Sequence, residues 1–165
     1  MERINYILND PEFLNYLKKN EEAEVDRIYC HHDIAHFLDV SRIAYIISLE
    51  EKLNIDKEIL YGMGLLHDIG RWMEYENGID HAIASKELAV GILQKCKFSE
   101  IEIKEIVTAI EGHRKKGDTP PLEDVLYRAD KLSRNCTLCS ARITCKKFLR
   151  STGTVLLLPF SRFIY

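Results

Sequence analysis

The sequence has little glycine, little proline and no long apolar run, and each scarcity excludes a class of protein. Eight glycines and four prolines in 165 residues leave no flexible linker and no low-complexity segment. No apolar stretch approaches the length needed to cross a bilayer, and the N-terminal MERINYILNDPEFLNYLKKN lacks the apolar centre of a signal peptide. We therefore expect a cytoplasmic protein of one compact domain, without a membrane partner.

Excess charge of either sign is also lacking. The 23 Lys and Arg residues nearly balance the 26 Asp and Glu residues, so the net charge is −3. A polyanion-binding surface usually needs a basic excess, so we expect no nucleic-acid polymer as a partner. The hydrophobic content of 46% and the charged content of 30% are ordinary for a globular protein. The oligomeric state is left open by these features.

Apolar residues recur at helical spacing along most of the chain, and no segment alternates as a half-buried strand does. One helix is predicted in the segment 33–50, and another in PLEDVLYRADKLSR after a pair of prolines. Polar residues that can cap a helix N-terminus precede the other stretches: Asp10, Asp56, Asn77 or Asp80, and Ser99, the last in a capping box with Glu102. The pattern predicts an all-α fold, a single-domain helical bundle.

Three ranges differ within this one domain. Residues 1–27 are predicted to form an N-terminal helical segment, and residues 28–150 the main helical domain. Residues 151–165, STGTVLLLPFSRFIY, are apolar and β-branched and do not continue the amphipathic pattern. This C-terminal tail could be a docking arm, a dimer element or a poorly ordered end.

Histidines and carboxylates on or beside the predicted helices are the most informative chemistry in the chain. A single histidine on an apolar helix face is more often a hydrogen-bonded core residue than a ligand. Imidazole and carboxylate groups together suit a divalent transition metal such as Fe, Mn, Zn, Co or Ni. The chain has six histidines: His31, His32, His36, His67, His81 and His113.

One ordered set of residues resembles the H…HD…D pattern of the HD superfamily of metal-dependent phosphohydrolases. The flanking sequences HFLDV, LLHDIGR and YRADKLS are also similar to that family, and the resemblance covers about residues 28–134. It implies an HD-type helical bundle with a buried metal site. It also implies that four residues from different helices bind one metal ion: His36, His67, Asp68 and Asp130.

Two further histidines, His81 and His113, follow the adjacent pair His67 and Asp68, which we call the HD doublet, and precede the final aspartate, Asp130. Their order is similar to that of HD proteins with two metals. By this resemblance Asp68 bridges the ions, His81 and His113 hold the second ion, and a metal-bound hydroxide attacks phosphorus. The alternative is that both histidines lie on the surface.

The stretch HHDIAHFLDV is similar to the H-N-x-x-H-x-x-D-V signature of cyclic-nucleotide phosphodiesterases. His32, His36 and Asp39 have the spacing of residues on one helical face. The resemblance implies that His32 is the general acid and that Asp39 orients a ligand. Asp33 stands where that signature has asparagine, and the alternative for His32 is a solvent-facing residue at the helix N-terminus.

Positive side chains near the doublet and the final aspartate are candidates for binding phosphate. Arg71 follows the doublet and Lys131 follows the final aspartate, and both are expected to act in catalysis, with His32 and Asp68. A pair farther along the chain, Arg114 and Lys115, could either contact phosphate or belong to a solvated face. Gly70 is expected to give the chain room to turn beside the metal.

The five cysteines are an odd number, which favours thiols or metal ligands over a disulfide framework. If His36 and Asp130 meet at one metal on antiparallel helices, the residue six positions before His36 and the residue six positions after Asp130 also lie together. Four thiolates then suit a structural zinc or an iron–sulfur cluster, whereas the alternative is ordinary reduced cysteines. The four candidates are Cys30 and the C-x2-C-x5-C set Cys136, Cys139 and Cys145.

These features together predict a metal-dependent phosphohydrolase with one or two metal ions. Its expected partner is a small phosphorylated substrate, a nucleotide or another metabolite, and dinucleoside polyphosphates are the first candidates. Two other functional classes stay open. One is a di-iron HD-type oxygenase of a small substrate, and the other is a non-catalytic metal-binding signalling module.

Overall fold

The computed structural model of the protein describes residues 1–113, 119–136 and 139–146. In these ranges the secondary structure is helical, with eight helices and no strand, so the predicted all-α class is confirmed. The helices are α1 (Glu2–Asn9), α2 (Pro11–Ala23), α3 (Ile34–Glu50), α4 (Lys57–Leu66), α5 (Arg71–Asn77), α6 (His81–Lys95), α7 (Glu100–Gly112) and α8 (Pro121–Leu132). The tail 151–165 and the pair Arg114 and Lys115 lie outside the described residues.

Local capping signals locate most of the helix starts. The Asp10 side chain accepts hydrogen bonds from two backbone N–H groups of α2, and Asp56 does the same for α4. The predicted capping box of Ser99 and Glu102 opens α7. Of the two alternatives for α6, Asp80 is the N-cap. Polar residues before an apolar stretch are therefore a reliable signal in this chain because they satisfy exposed N–H groups.

Helix α5 was not expected. The apolar pattern predicted one helix through IDKEILYGMGLLHD, but α4 ends at Leu66 and a turn separates it from α5. Asn77, one of the two proposed caps for α6, is instead the last residue of α5. Helix α5 contains no buried residue, so it carries no apolar periodicity by which the sequence could reveal it.

The core lies between α3, α4, α6, α7 and α8, where the main helix contacts are α3 with α4 and α8, and α6 with α7. Helices α3 and α4 approach closely at Gly64, where an added Cβ would lie 2.4 Å from the Ser41 Oγ. This approach brings the C-terminal end of α4 against the middle of α3. The largest fully buried side chains include Phe37, Leu60, Met63, Leu66, Ile106 and Ile110.

The N-terminal segment packs onto the main domain. Helix α1 contacts α4 and helix α2 contacts α5. The Arg3 side chain joins α1 to two other helices, with 2.6 Å to Glu58 and 2.8 Å to Glu102. Among the described helices, none is long and apolar enough to span a membrane.

Candidate metal centre

Six predicted ligands meet in the interior between the helices. Helix α3 carries one, the turn between α4 and α5 carries two, and the start of α6, the end of α7 and α8 carry one each. We call this group the His/Asp centre: His36, His67, Asp68, His81, His113 and Asp130. The side chain of His36 is 10% exposed, and the other five residues are buried. For His81 and His113, the alternative of a surface position is therefore wrong.

The ligand atoms of the centre form two groups, and a third group of possible ligands joins Asp68 to His36 and His32. In one group His36, His67 and Asp130 place their ligand atoms within 4.8 Å of one another, and in the other Asp68, His81 and His113 do so. The Oδ2 of Asp68 lies 3.4 Å from His67 Nε2, on the side of the first group. Its Oδ1 lies 3.3 Å from His81 Nε2 and 3.7 Å from His113 Nε2. Asp68 therefore lies between the two groups, with one oxygen toward each.

Backbone carbonyls orient two of the imidazoles. His67 Nδ1 lies 2.8 Å from the carbonyl of Gly64, and His113 Nδ1 lies 2.5 Å from the carbonyl of Ile110. A carbonyl only accepts hydrogen bonds, so each Nδ1 donates and each Nε2 keeps a free lone pair. Both Nε2 atoms then face the centre as acceptors, which is the form that binds a metal.

Side chains orient the other two imidazoles. His36 Nδ1 lies 3.3 Å from the Ser133 Oγ. His81 Nδ1 contacts the carboxylate of Glu74, and Arg71 Nη1 lies 2.6 Å from the same nitrogen. Because Arg71 also donates to Glu74 at 2.8 Å, the Glu74 carboxylate is the partner of both the Arg71 guanidinium and the His81 imidazole. Donation from His81 Nδ1 to Glu74 leaves its Nε2 free to face Asp68.

Three buried atoms of the centre have no hydrogen-bond partner: His36 Nε2, His67 Nε2 and Asp68 Oδ1. Buried polar atoms are nearly always paired, because an unpaired one loses its bond to water without replacement. Two imidazole nitrogens and a carboxylate oxygen together are a donor set for a divalent transition metal. The residues of the centre therefore fit such an ion.

The protonation states also suit metal binding. Burial and the neighbouring His67 lower the pKa of His36 to about 4, and burial lowers the pKa of His67. Burial opposes the ionisation of Asp68 and Asp130, but surrounding histidines and nearby cations hold the pKa of each carboxyl below its usual range. At neutral pH these imidazoles are neutral and the carboxylates are charged, as ligands must be.

His32 lies in the loop before α3, so the predicted helical face shared with His36 is wrong. Helix α3 begins after Asp33, whose side chain accepts from the backbone N–H of His36 at 2.9 Å. His32 still reaches the centre, with its Nε2 3.4 Å from Asp68 Oδ2. Its Nδ1 lies 2.5 Å from the carboxylate of Glu24. The alternative of a solvent-facing side chain is also wrong, since that side chain is 12% exposed.

Asp39 does not orient a ligand, which contradicts the prediction. Its side chain is half exposed and pairs with Arg42 at 3.1 Å. Helix α3 buries Phe37 and Val40 on its inner face, which turns Asp39 outward. The carboxylate therefore belongs to the surface of α3.

Glu24 is a member of the site that sequence reasoning missed. It is 1% exposed, and it accepts hydrogen bonds from the His32 backbone N–H and from the Tyr75 hydroxyl, both at 2.7 Å. Burial opposes its ionisation, but the bonds and charge of His32 lower the pKa of Glu24 to about 2. In the sequence Glu24 ends the acidic run EEAE, which looks like a solvated helix end.

Asn20 was also missed, and it holds the turn that carries the HD doublet. Its Nδ2 donates to the carbonyl of Asp68 at 2.9 Å, and its Oδ1 accepts from the backbone N–H of Trp72 at 2.8 Å. The side chain is fully buried. Nothing in the local sequence of α2 signals this role, because both partners lie far along the chain.

Gly70 is needed for packing, which corrects its predicted role. Its φ of −93° suits any residue, so the turn itself does not require glycine. An added Cβ would lie 2.6 Å from the backbone nitrogen of Ser85. The Gly70 N–H donates to the Ser85 Oγ at 2.9 Å. Glycine therefore lets the turn approach α6 closely.

Among the residues that the structure describes, three cations lie beside the centre. Arg71 is 17% exposed and is engaged by Glu74. Lys131 contacts the Oδ2 of Asp130, and Arg134 lies 3.1 Å from the same oxygen. Arg134 was not predicted, because it follows α8 and reaches back to Asp130 by one helical turn. These side chains place positive charge at two sides of the ligand set.

Four of the five cysteines lie around one cavity of about 600 Å³. His36 and Ser133 form part of its wall, so the cavity adjoins the His/Asp centre. All five cysteines are free thiols, and the fifth, Cys96, is buried in the core. We call this feature the cysteine pocket: Cys30, Cys136, Cys139 and Cys145.

Comparison with known proteins agrees with this arrangement. Residues 33–135 match the HD domain family. An uncharacterized protein of Clostridium beijerinckii is 48% identical over 145 residues, 88% of this chain and 92% of that protein. Ribonuclease Y of Lactobacillus helveticus is 30% identical over 103 residues, which are 61% of this chain but only 17% of the ribonuclease.

A solved structure is similar as well. The crystal structure of a predicted HD superfamily hydrolase from an uncultured Thermotogales bacterium aligns with a TM-score of 0.57 and 34% identity. The alignment covers 74% of this chain and 68% of that one. The fold and the site together define a member of the HD hydrolase superfamily. The chain belongs to the HD domain family, as the H…HD…D pattern predicted.

Proposed function

We propose that this protein is a metal-dependent phosphohydrolase of a nucleotide or another small phosphorylated metabolite. The observation that supports the proposal most strongly is the set of unpartnered buried atoms on His36, His67 and Asp68. They belong to residues whose ligand atoms lie within 4.8 Å of those of neighbouring residues of the His/Asp centre. A purely structural cluster of histidines would pair these atoms with one another or with the backbone.

The proposed centre holds two divalent ions. His36, His67 and Asp130 would hold one ion together with Asp68, whose Oδ2 lies 3.4 Å from His67 Nε2. Asp68, His81 and His113 would hold the other. Bound there, the ions would activate a water molecule and neutralise charge on a phosphoryl group. Asp68 is suited to bridge because its two oxygens face different ligand groups.

Cations beside Asp130 are suited to bind the phosphoryl oxygens. The Oδ1 of Asp130 faces His36 at 3.7 Å, whereas Lys131 and Arg134 contact its Oδ2. The two cations are therefore held next to a ligand and close to where a substrate phosphate would lie. Arg134 can bind phosphate in a bidentate manner, and Arg71 supplies positive charge on the opposite side.

His32 is the proposed proton donor to the leaving oxygen. Its Nδ1 donates to Glu24, and its Nε2 points toward the centre. Because Nδ1 is engaged by Glu24, Nε2 is the ring atom that would deliver a proton to a bound substrate. Glu24 acts through His32 and is therefore a positioning residue.

Two substrate types deserve the first tests. Dinucleoside polyphosphates are the first small-molecule candidates, following the resemblance to small HD hydrolases. The similarity to ribonuclease Y favours a second candidate, the phosphodiester bond of a short single-stranded RNA. The small net charge of −3 argues against a long nucleic-acid polymer.

Product release from a substrate panel tests the proposal. The purified chain is loaded separately with Mn²⁺, Fe²⁺, Co²⁺, Ni²⁺ and Zn²⁺. Each form is incubated with mononucleotides, cyclic nucleotides, dinucleoside polyphosphates and short RNA, and the products are separated by chromatography. Asp68→Ala is the inactive control, and Asp39→Asn is the matched control, because Asp39 is an acid on the surface.

Metal-dependent release of a phosphorylated product that Asp68→Ala abolishes and Asp39→Asn retains is the expected result. Oxygen consumption by the iron form, with no hydrolysis product, would replace the proposal with the oxygenase alternative. The absence of both activities across the panel, with two metals bound, would favour the non-catalytic signalling module.

A further inference from the structure

The cysteine pocket brings together thiols from two distant parts of the chain. Cys30 lies in the loop between α2 and α3, and the other three follow α8. Burial raises the pKa of the Cys136 thiol, and the nearby Cys30, Cys139 and Cys145 raise it further. The four thiols thus surround one cavity that a shared ligand could fill.

Backbone hydrogen bonds shape both loops around the cavity. On one side Arg27 Nε donates to the carbonyl of Cys30 at 2.7 Å. On the other side the Cys139 carbonyl accepts from Arg142 N at 3.2 Å, and Cys145 N donates to the Arg142 carbonyl at 3.4 Å. These consecutive turns return Cys145 to the same cavity as Cys139. Among residues 139–145 the structure describes turns and no strand, so a ligand shared by the thiols would tie these turns to the loop before α3.

The chemistry of the pocket suits a soft metal group. Thiolates select zinc, copper(I) or iron–sulfur clusters over hard cations. All four cysteines are partly exposed free thiols, so an incoming metal can reach them. Arginines line the same cavity and would offset the negative charge of four thiolates: Arg27, Arg134 and Arg142.

Dimensions favour a cluster over a single ion. Four thiolates on one zinc ion lie roughly 3.8 Å apart, which follows from a Zn–S distance of about 2.3 Å in a tetrahedron. Among the described residues, no three cysteine Sγ atoms lie within 4.8 Å of one another. A cluster spreads its thiolates over several irons and so holds them farther apart, and the cavity of about 600 Å³ has room for it.

We propose that the cysteine pocket binds an iron–sulfur cluster through one thiolate from each of its four cysteines. The cluster would join the loop before α3 to the segment after α8, beside the His/Asp centre. That segment includes Ser133, which contacts His36, and Arg134, which contacts Asp130. A cluster there would therefore brace one wall of the centre.

Anaerobic purification of the full chain provides the test. Iron, zinc and acid-labile sulfide are measured per chain, together with the visible absorption before and after a reductant. We expect equal amounts of iron and sulfide in the cluster, and a visible band that the reductant bleaches. Cys30→Ser and Cys139→Ser are each expected to lose the sulfide and the band.

Two further variants separate the cluster from other causes. Cys96→Ala changes a cysteine outside the pocket and should retain the sulfide and the band. Asp68→Ala removes any iron of the His/Asp centre and should retain both as well. If Cys30→Ser and Cys139→Ser fail to fold, the sulfide content and spectrum of the unaltered chain still decide the matter.

Three results would overturn the proposal. One is a single zinc ion per chain without sulfide, which would make the pocket a zinc site. Another is the full reactivity of the four thiols toward a thiol reagent in the anaerobic protein, with no sulfide present. The third is unchanged sulfide content in Cys30→Ser, which would remove the contribution from the loop before α3.

Discussion

The His/Asp centre and the cysteine pocket are neighbours, yet the protein holds their ligands in different ways. The centre takes its six residues from helices and helix ends, they are buried or nearly so, and hydrogen bonds orient the imidazoles. The pocket takes its four thiols from two loops that are shaped by backbone turns. Packing and hydrogen bonds therefore position the ligands of the centre, whereas the proposed cluster would have to hold the thiols of the pocket together.

The largest expected effect is the loss of metal from the centre in Asp68→Ala. This variant removes the carboxylate shared by both ligand groups, so activity should fall to background and both ions should be lost. Metal analysis should show that the sulfide-linked iron of the pocket remains. Retention of two metals without sulfide in this variant would contradict a centre built around Asp68.

Glu24→Gln tests the positioning of His32. It removes the charge that accepts from His32 but nearly preserves the shape, so kcat should fall by about 10–100-fold. Metal content should stay unchanged, because Glu24 contacts His32 and none of the six residues of the His/Asp centre. Glu22→Gln, an exposed acid near the end of α2, is the matched control.

A parallel loss of metal in Glu24→Gln would show instead that Glu24 supports the ligand set as a whole. In that case the proton-donor role of His32 would lose its main support.

Asn20→Ala tests how much the Asn20 hydrogen bonds stabilise the turn that carries His67 and Asp68 when no metal is bound. The variant leaves the buried carbonyl of Asp68 and the N–H of Trp72 unpaired, which should lower the free energy of unfolding by about 1–3 kcal/mol. Denaturant unfolding of the metal-free protein measures the change. Asn15→Ala on the exposed side of α2 is the control, and equal effects of the two variants would contradict the bracing role.

Acid pH should lower the free energy of unfolding, because it protonates the buried Glu24 carboxylate. Its pKa in the folded protein is about 2, below the ordinary value of 4.5, so the ionised group stabilises the fold above pH 4.5. That contribution is lost as the pH falls from 4.5 toward 2. The stability difference between the unaltered chain and Glu24→Gln should shrink over this range, and a constant difference would contradict the buried ion pair.

The smallest expected effect belongs to Asp39→Asn. Asp39 pairs with Arg42 on the surface, so the free energy of unfolding should change by less than about 0.5 kcal/mol. Metal affinity should not change, as measured by titration of the metal-free protein. A weaker metal affinity in this variant would restore the orienting role that the phosphodiesterase-like spacing predicted.

Local signals explain which helices the sequence could predict. Asp10, Asp56 and Ser99 cap helices because their side chains bond to N–H groups two or three residues away. Helix α5 escaped prediction because it buries no side chain. The helical position expected for His32 failed because Asp33 caps α3 one residue later.

The sequence by itself determined the all-α class, the family and the ordered residues that converge in the His/Asp centre. These features depend on residue type, helical periodicity and order, which are local properties of the chain. Only the tertiary structure decided that Glu24 supports His32, that Asn20 holds the HD turn and that Arg134 reaches Asp130. The Asn20 contacts span 48 and 52 residues, and they form only when α2 packs against α5. Glu24 meets His32, eight residues later, across the loop between α2 and α3.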